Sequence, residues 1–395
     1  MKSNIAFMFK IIASIVTESE LPQEPKEVDW KEILQISLKH NVANIIAYAV
    51  NSGKYSIEPD IVMSFNRKLY ERIAVSENQD FEINNIVKKF SENQIDFMPF
   101  KGTALNDLYP SQDMRFMSDA DIFIKKEQYE KINEVMLGLG YAFEVEGPIE
   151  YNYIKKPYIH IELHFDLIAP SSEDLYDYYK NGWRLAKTTS VPHRYELGIE
   201  DHYIFIFNHF VRHYRDAGVG IKAIIDMWLY RRRYPEMDYD YIESELEKIN
   251  LLVFYKNLIR MTEAWFEGKN IDDDVIESMT EFIIDSGTFG NIKNSVSAKI
   301  IRKDEDVKKA EKYRYLNIIF PDFTYMAEAF PILKKTPFLL PVFWVWRLIA
   351  TLLFRRDNIQ KRKNIANSID AENIDRVKKH MEDVGLDIYN GRKSK

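Results

Sequence analysis

The chain has 395 residues, 46% hydrophobic and 14% aromatic, which is enough to pack two or three units and excludes an intrinsically disordered chain. A net charge of −7 argues against a nonspecific nucleic-acid binder, which would display a strongly basic face. With no cysteine, disulfides and thiolate zinc sites are excluded, a composition compatible with a reducing cytosol.

The first segment, Met1 to Val16, has an apolar run from Ile5 to Phe9 broken by Lys10, and no small-residue cleavage site precedes Glu18 and Glu20. It is expected to form an amphipathic helix rather than a signal peptide. Trp30 to Ala49 and Pro59 to Phe90 space apolar residues at three and four, with Asn51-Ser52-Gly53 as a stop, which predicts an N-terminal helical region over residues 1–92.

Residues 93–198 are expected to form an α/β core. Ile95 to Phe100 reads as a short strand, Thr103 to Leu108 as a short helix, Asp119 to Lys125 as a strand and Glu127 to Leu139 as a helix. Tyr141 to Glu146 and Tyr151 to Ile154 read as a meander leading into a strand from Tyr158 to Ile168. That order predicts a small mixed sheet with helices on one face, so the fold class is α+β with helical regions on both sides of the sheet in sequence.

A C-terminal helical region over residues 199–355 follows, with helices expected at Tyr203 to Tyr214, Lys222 to Tyr234, Tyr241 to Phe266 and Asp273 to Asp285. Residues 337–354 are apolar except for Arg347 and Thr351 and are bracketed by Lys334-Lys335 and Arg355-Arg356. This is short of the roughly 20 residues a spanning helix needs, so a buried or interfacial helix is expected, with peripheral membrane contact as the alternative. The charged tail, 356–395, is expected to be a solvated helix with a frayed end.

Chemistry concentrates in the middle of the chain. Asp119 and Asp121 stand at i and i+2, so on a strand they share one face while Ala120 and Ile122 pack behind. Two carboxylates about 7 Å apart along a strand repel unless a cation lies between them. Oxygen ligands of this kind select Mg²⁺ or Mn²⁺, ions that serve phosphate chemistry. On the strand from Tyr158 to Ile168, His160, Glu162, His164 and Asp166 alternate with apolar residues, which makes Glu162 the best third carboxylate and His164 its assistant. Gly102 would let backbone approach a phosphate, Thr103 can donate a hydroxyl, and a helix opening there would aim N–H groups at an anion. Arg115 is expected to clamp a phosphate or to pair with Asp113 or Asp119. His209 and His213, four apart on a predicted helix, share a face with substrate-facing potential that extends to Arg212, or they are core histidines, and Asp226 is expected to cap or pair with one of them.

An ordered set of blocks adds to this reading. Lys101-Gly102, a short helix ending at Tyr109-Pro110, and Arg115-x-x-Ser118-Asp119-x-Asp121 running into an apolar strand resemble the uncharacterised bacterial nucleotidyltransferase family proteins of the polymerase-beta-like nucleotidyltransferase superfamily. The segments Ile161 to Phe165, Asn208 to His213, Gly220 to Lys222 with Asp226, Phe320-Pro321 to Met326, and Leu340 to Arg347 carry the resemblance from about Trp30 to Arg355. It implies a transferase, expected to be cytoplasmic, moving a nucleoside monophosphate from an NTP, ATP included, to an unknown acceptor; small molecule, protein and tRNA all fit such a site, and the acidic balance makes nucleic acid the least favoured. Asp119, Asp121 and Glu162 would hold Mg²⁺ or Mn²⁺, with His164 assisting. Lys101, Gly102, Thr103, Arg115 and Ser118 would bind the nucleotide. The alternative from another class is a catalytically silent scaffold or binding protein of a cell-surface polysaccharide or peptide-modification pathway. On this reading Asp121→Asn should leave the melting temperature level or slightly raised, by relief of carboxylate repulsion.

Overall fold

The computed structural model describes residues 3–157, 159–169, 176, 178–302, 320, 323, 326, 330–334, 336–354 and 371–386. The start of the strand expected from Tyr158, Pro321, and the parts of the tail at 356–370 and 387–395 lie outside them.

Helix α1 (Ser3–Val16) buries Phe7, Met8, Phe9, Ile11 and Ile12, so it is a core helix, and the Phe9 ring stacks on Trp265 with centroids 3.9 Å apart. Helix α2 (Trp30–Lys39) starts at Asp29, whose carboxylate accepts the N–H groups of Lys31 and Glu32. Helix α3 (Ala43–Val50) is almost wholly buried, and α4 (Pro59–Glu92) has proline in its first turn, where no intrahelical N–H is needed. The 34 residues of α4 join two cores: Phe65 and Leu69 pack in the helical one, Ile86 and Phe90 under the sheet.

The sheet is mixed, with strand order β1-β2-β5-β4-β3: β1 (Phe97–Pro99), β2 (Ala120–Ile124), β3 (Ala142–Glu146), β4 (Glu150–Lys155) and β5 (Ile159–His164). Central β2 and β5 run parallel; the other pairs are antiparallel. Helix α5 (Gly102–Leu105) follows β1, and α6 (Tyr129–Gly138) follows β2. Ala120, Ile122 and Ile124 of β2 and Ile161 and Leu163 of β5 face α4 and α6. Side-chain alternation therefore turns Asp121 and Glu162 to the opposite face. That face is covered further along by Phe100, Phe123 and Phe205, so helices and loops flank both faces, not one as expected. A two-stranded ribbon, β6 (Ala186–Thr188) with β7 (Tyr195–Leu197), also went unpredicted, because strands of three residues are too short to show a period of two.

The remaining described helices are α7 (Ile199–Ala217), α8 (Ile221–Arg233), α9 (Tyr239–Lys248), α10 (Leu252–Phe266), α11 (Asp274–Ser286), α12 (Ile292–Arg302), α13 (Leu340–Phe354) and α14 (Ala371–Asp383). The single helix expected from Tyr241 to Phe266 is broken into α9 and α10 at Asn250, whose φ of 57° is left-handed. Helix α14 in the charged tail is not merely solvated: Ile374, Val377 and Met381 join the main core, and His380 is hydrogen-bonded to the hydroxyls of Tyr214 and Ser278, each at 2.8 Å. Helix α13 leaves Val342, Val345 and Trp346 exposed, so it is not buried, and no described helix is long and apolar enough to cross a membrane.

Candidate active site

Parallel pairing of β2 and β5 sets Asp121 beside Glu162 and Phe123 beside His164. Asp119 lies one residue ahead of β2. Two groups of side chains have all their potential ligand atoms within 4.8 Å of one another: Asp119, His160 and Glu162, and Asp121, Glu162 and His164. Glu162 belongs to both. His160, which also approaches Glu144 at 3.4 Å, was legible only as a member of the polar face of its strand.

The two aspartates differ in surroundings. Asp121 is buried, which alone would push its carboxyl up, but the Lys101 ammonium at 2.8 Å and the His164 ring at 2.9 Å hold it well below the usual carboxylate range. Asp119 is half-buried and has no such cation in contact, so burial and then the charges of Asp121 and Glu162 push its carboxyl up. The hydrogen bond that Glu162 accepts from the His164 ring, at 3.1 Å, outweighs burial and lowers the Glu162 carboxyl. With like charges at Asp119 and Glu162 reaching both groups, the cluster could hold a divalent cation, and its oxygen ligands fit the chemistry of Mg²⁺ or Mn²⁺.

The loop after β1 meets these acids edge-on. Lys101 has φ 47° and ψ −125°, a conformation side chains rarely adopt, and its Nζ also lies 3.2 Å from His164 Nε2. Thr103 Oγ1 accepts the Asp121 N–H at 3.0 Å, leaving its own proton free to donate. Exposed Ser118 donates to Asp119 at 2.9 Å. Helix α5 is only four residues long, so it lacks the aligned turns that would make its start an anion seat.

Arg115 is committed to groups of the protein itself. Its Nε and Nη2 each donate to Asp226 of α8 at 2.9 Å, in a bidentate pair, and its Nη1 donates to the Gly102 carbonyl at 3.0 Å. A Cβ on Gly102 would meet Nη1 at 3.2 Å, so the glycine makes room for the guanidinium. Tyr109 donates to the same Asp226 at 2.8 Å. The partner is neither Asp113 nor Asp119, and Asp226 joins neither histidine.

Helix α7 supplies His209 and His213, whose Nε2 atoms lie 3.1 Å apart. Burial, followed by the charges of His213, Lys101, Arg212 and Lys222, pushes the His209 ring down, so it is neutral at pH 7, while His213 lies exposed beside it. Lys222, at the start of α8, is lowered to about 8, first by burial and then by Arg115, against the pull of Asp226, Asp119 and Asp121. His209, Lys222, Asp119 and Glu162 are each half-buried and keep some access to solvent, as the lining of a cleft between the sheet and helices α7 and α8 would. Lys222 carried no chemical role in the sequence reading beyond its place in a block; its relation to the acids depends on the packing of α8.

Residues 26–267 match the family model described as an uncharacterised nucleotidyltransferase, a span that contains every residue of this cleft and stops before the blocks at 320–326 and 340–347. No curated protein matches the chain.

Proposed function

We propose that this chain, which belongs to the uncharacterised nucleotidyltransferase family, transfers a nucleoside monophosphate from an NTP to a small-molecule or protein acceptor. The observation that carries the proposal is Glu162, shared by two ligand groups that meet across the parallel pair β2 and β5. Asp119, Asp121 and Glu162, with His160 and His164 beside them, would hold Mg²⁺ or Mn²⁺. When bound, such an ion neutralises phosphate oxygens and the charge that develops on them. Lys101 presents a cation at the edge of the acids where the phosphates arrive, and Gly102, Thr103 and Ser118 offer backbone and hydroxyl groups beside it. Arg115 acts through the Gly102 carbonyl, as a positioning residue rather than a clamp.

The acceptor oxygen forms its bond to the α-phosphorus as the bond from that phosphorus to the bridging oxygen breaks, and pyrophosphate leaves. The acceptor's proton passes to a carboxylate of the cluster, for which Glu162 is best placed. His164 keeps that group ionised and oriented. Helix α13, with its exposed Trp346 and Val345, offers a surface for peripheral membrane contact and plays no part in the chemistry. A silent scaffold would have no need of the intact acid set. Incubating the protein and a cell extract with each NTP labelled at the α-phosphate, with Mn²⁺, and weighing the products tests the proposal. A mass increase of one nucleoside monophosphate on a protein or metabolite supports it; no incorporation from any NTP contradicts it.

A further inference from the structure

A triphosphate entering this cleft approaches three carboxylates, so it needs cations on the opposite wall that are not already committed. Two of the cations near the acids are committed. Lys101 is hydrogen-bonded and ion-paired to Asp121, and Arg115 is locked in a bidentate pair with Asp226. Lys222 and Arg212 are different: among the described residues neither makes a hydrogen bond or an ion pair, and both are only partly open to solvent. An enclosed ammonium without a partner is costly to keep, which calls for a reason.

The fold aims Lys222 deliberately. Asp226 lies four residues further along α8 and therefore on the same face of the helix. Its bonds to Arg115 and Tyr109 fix that face toward the loop carrying Gly102 and the acids. The His40 ring accepts the N–H of Ile221 at 3.2 Å, pinning the helix one residue before Lys222. On α7, Arg212 lies three residues after His209, so the neutral ring and the guanidinium share one face. Lys222 feels the charges of Asp119 and Asp121, and His209 those of Lys101, Arg212 and Lys222, in keeping with a face of α7 and α8 turned toward the acids.

We infer that Lys222 and Arg212 form the seat for the two terminal phosphates of the NTP, the part that leaves as pyrophosphate. This deepens the proposed function and rests on it. The seat holds the leaving group against α7 and α8 while the α-phosphate faces Glu162, so the acceptor must enter from the opposite side, as an in-line displacement requires.

Calorimetric titration of the full chain with inorganic pyrophosphate and with a non-hydrolysable NTP, both with Mg²⁺, tests the inference. The variants are Lys222→Met, Lys222→Arg and Arg212→Met, each first checked by circular dichroism and thermal melting. Lys222→Met should weaken both ligands at least tenfold and Arg212→Met several-fold. Lys222→Arg should retain affinity within about threefold, since a guanidinium also binds phosphate. Melting temperature should hold or rise in Lys222→Met, because an enclosed unpaired charge is removed. Wild-type affinity for both ligands in a folded Lys222→Met protein would overturn the seat while leaving the nucleotidyltransferase reading in place. Failure of the wild-type protein to bind any NTP would overturn both.

Discussion

Asp119 and Asp121 sit two residues apart and carry opposite electrostatic burdens. Asp121 is stabilised by Lys101 and His164, whereas Asp119 faces like charges without a contacting cation. Their amide variants should therefore separate. Asp119→Asn removes an unfavourable charge and should leave stability within about 1 kcal/mol of wild type, or slightly raise it. Asp121→Asn strands the Lys101 ammonium and should cost about 2–4 kcal/mol in urea unfolding. This reverses the expectation drawn from repulsion alone, because the sequence shows two acids and conceals which one the lysine reaches. Both variants should abolish transfer, and equal stability effects would contradict the assignment. The acids themselves, Glu162 and His164 were legible because a period of two on apolar strands leaves polar residues only one face. The direction of Arg115 was not: its partner lies 111 residues away on a helix whose placement no local pattern encodes.

At the scale of elements, the Arg115–Asp226 pair is the joint between the loop carrying Gly102 and α8. Both partners are buried, so Asp226→Asn should destabilise the protein by about 3–5 kcal/mol, with a smaller loss when Arg115→Met is added, because the second change removes the stranded charge. Additive losses in such a double-mutant cycle would show that the two residues do not act as one joint. The turn from α7 to α8 is equally constrained. Gly218 has φ 87°, and a Cβ there would fall 1.9 Å from Ser286 Oγ, so Gly218→Ala should cost more than about 1 kcal/mol and lower the melting temperature. The helical character of residues 30–49 and 59–90 and the order of strands along the chain could be read from apolar spacing and turn residues, but not the break between α2 and α3 or the order of strands in the sheet. The break at Asn250 and the burial of α14 could not, since both are decided by what the chain packs against.

Across the whole molecule, buried neutral histidines set the response to acid. His40, His202 and His380 are each lowered to about 4, chiefly by burial. Between pH 6.5 and 4 the unfolded chain therefore binds more protons than the folded one, and stability falls as pH falls. The enclosed His40 and His380 should each account for roughly 2–3 kcal/mol of that loss. Asp121, Asp226 and Asp96, all lowered, add loss of the same sign at more acid pH; Asp119, raised, opposes it. A melting temperature that stays flat from pH 6.5 to 4 would contradict this. His40 also joins global stability to the site, because its protonation removes the acceptor for the Ile221 N–H at the start of α8.

The central claim, that the acids of β2 and β5 form one divalent-metal site for phosphate transfer, is tested most directly by electron paramagnetic resonance titration of Mn²⁺ with a non-hydrolysable NTP present. Wild-type protein should remove free Mn²⁺ from solution stoichiometrically, while folded Glu162→Gln, which loses the carboxylate shared by both ligand groups, should bind at least tenfold more weakly. Unchanged Mn²⁺ binding in Glu162→Gln, or no binding by the wild type, would contradict the claim.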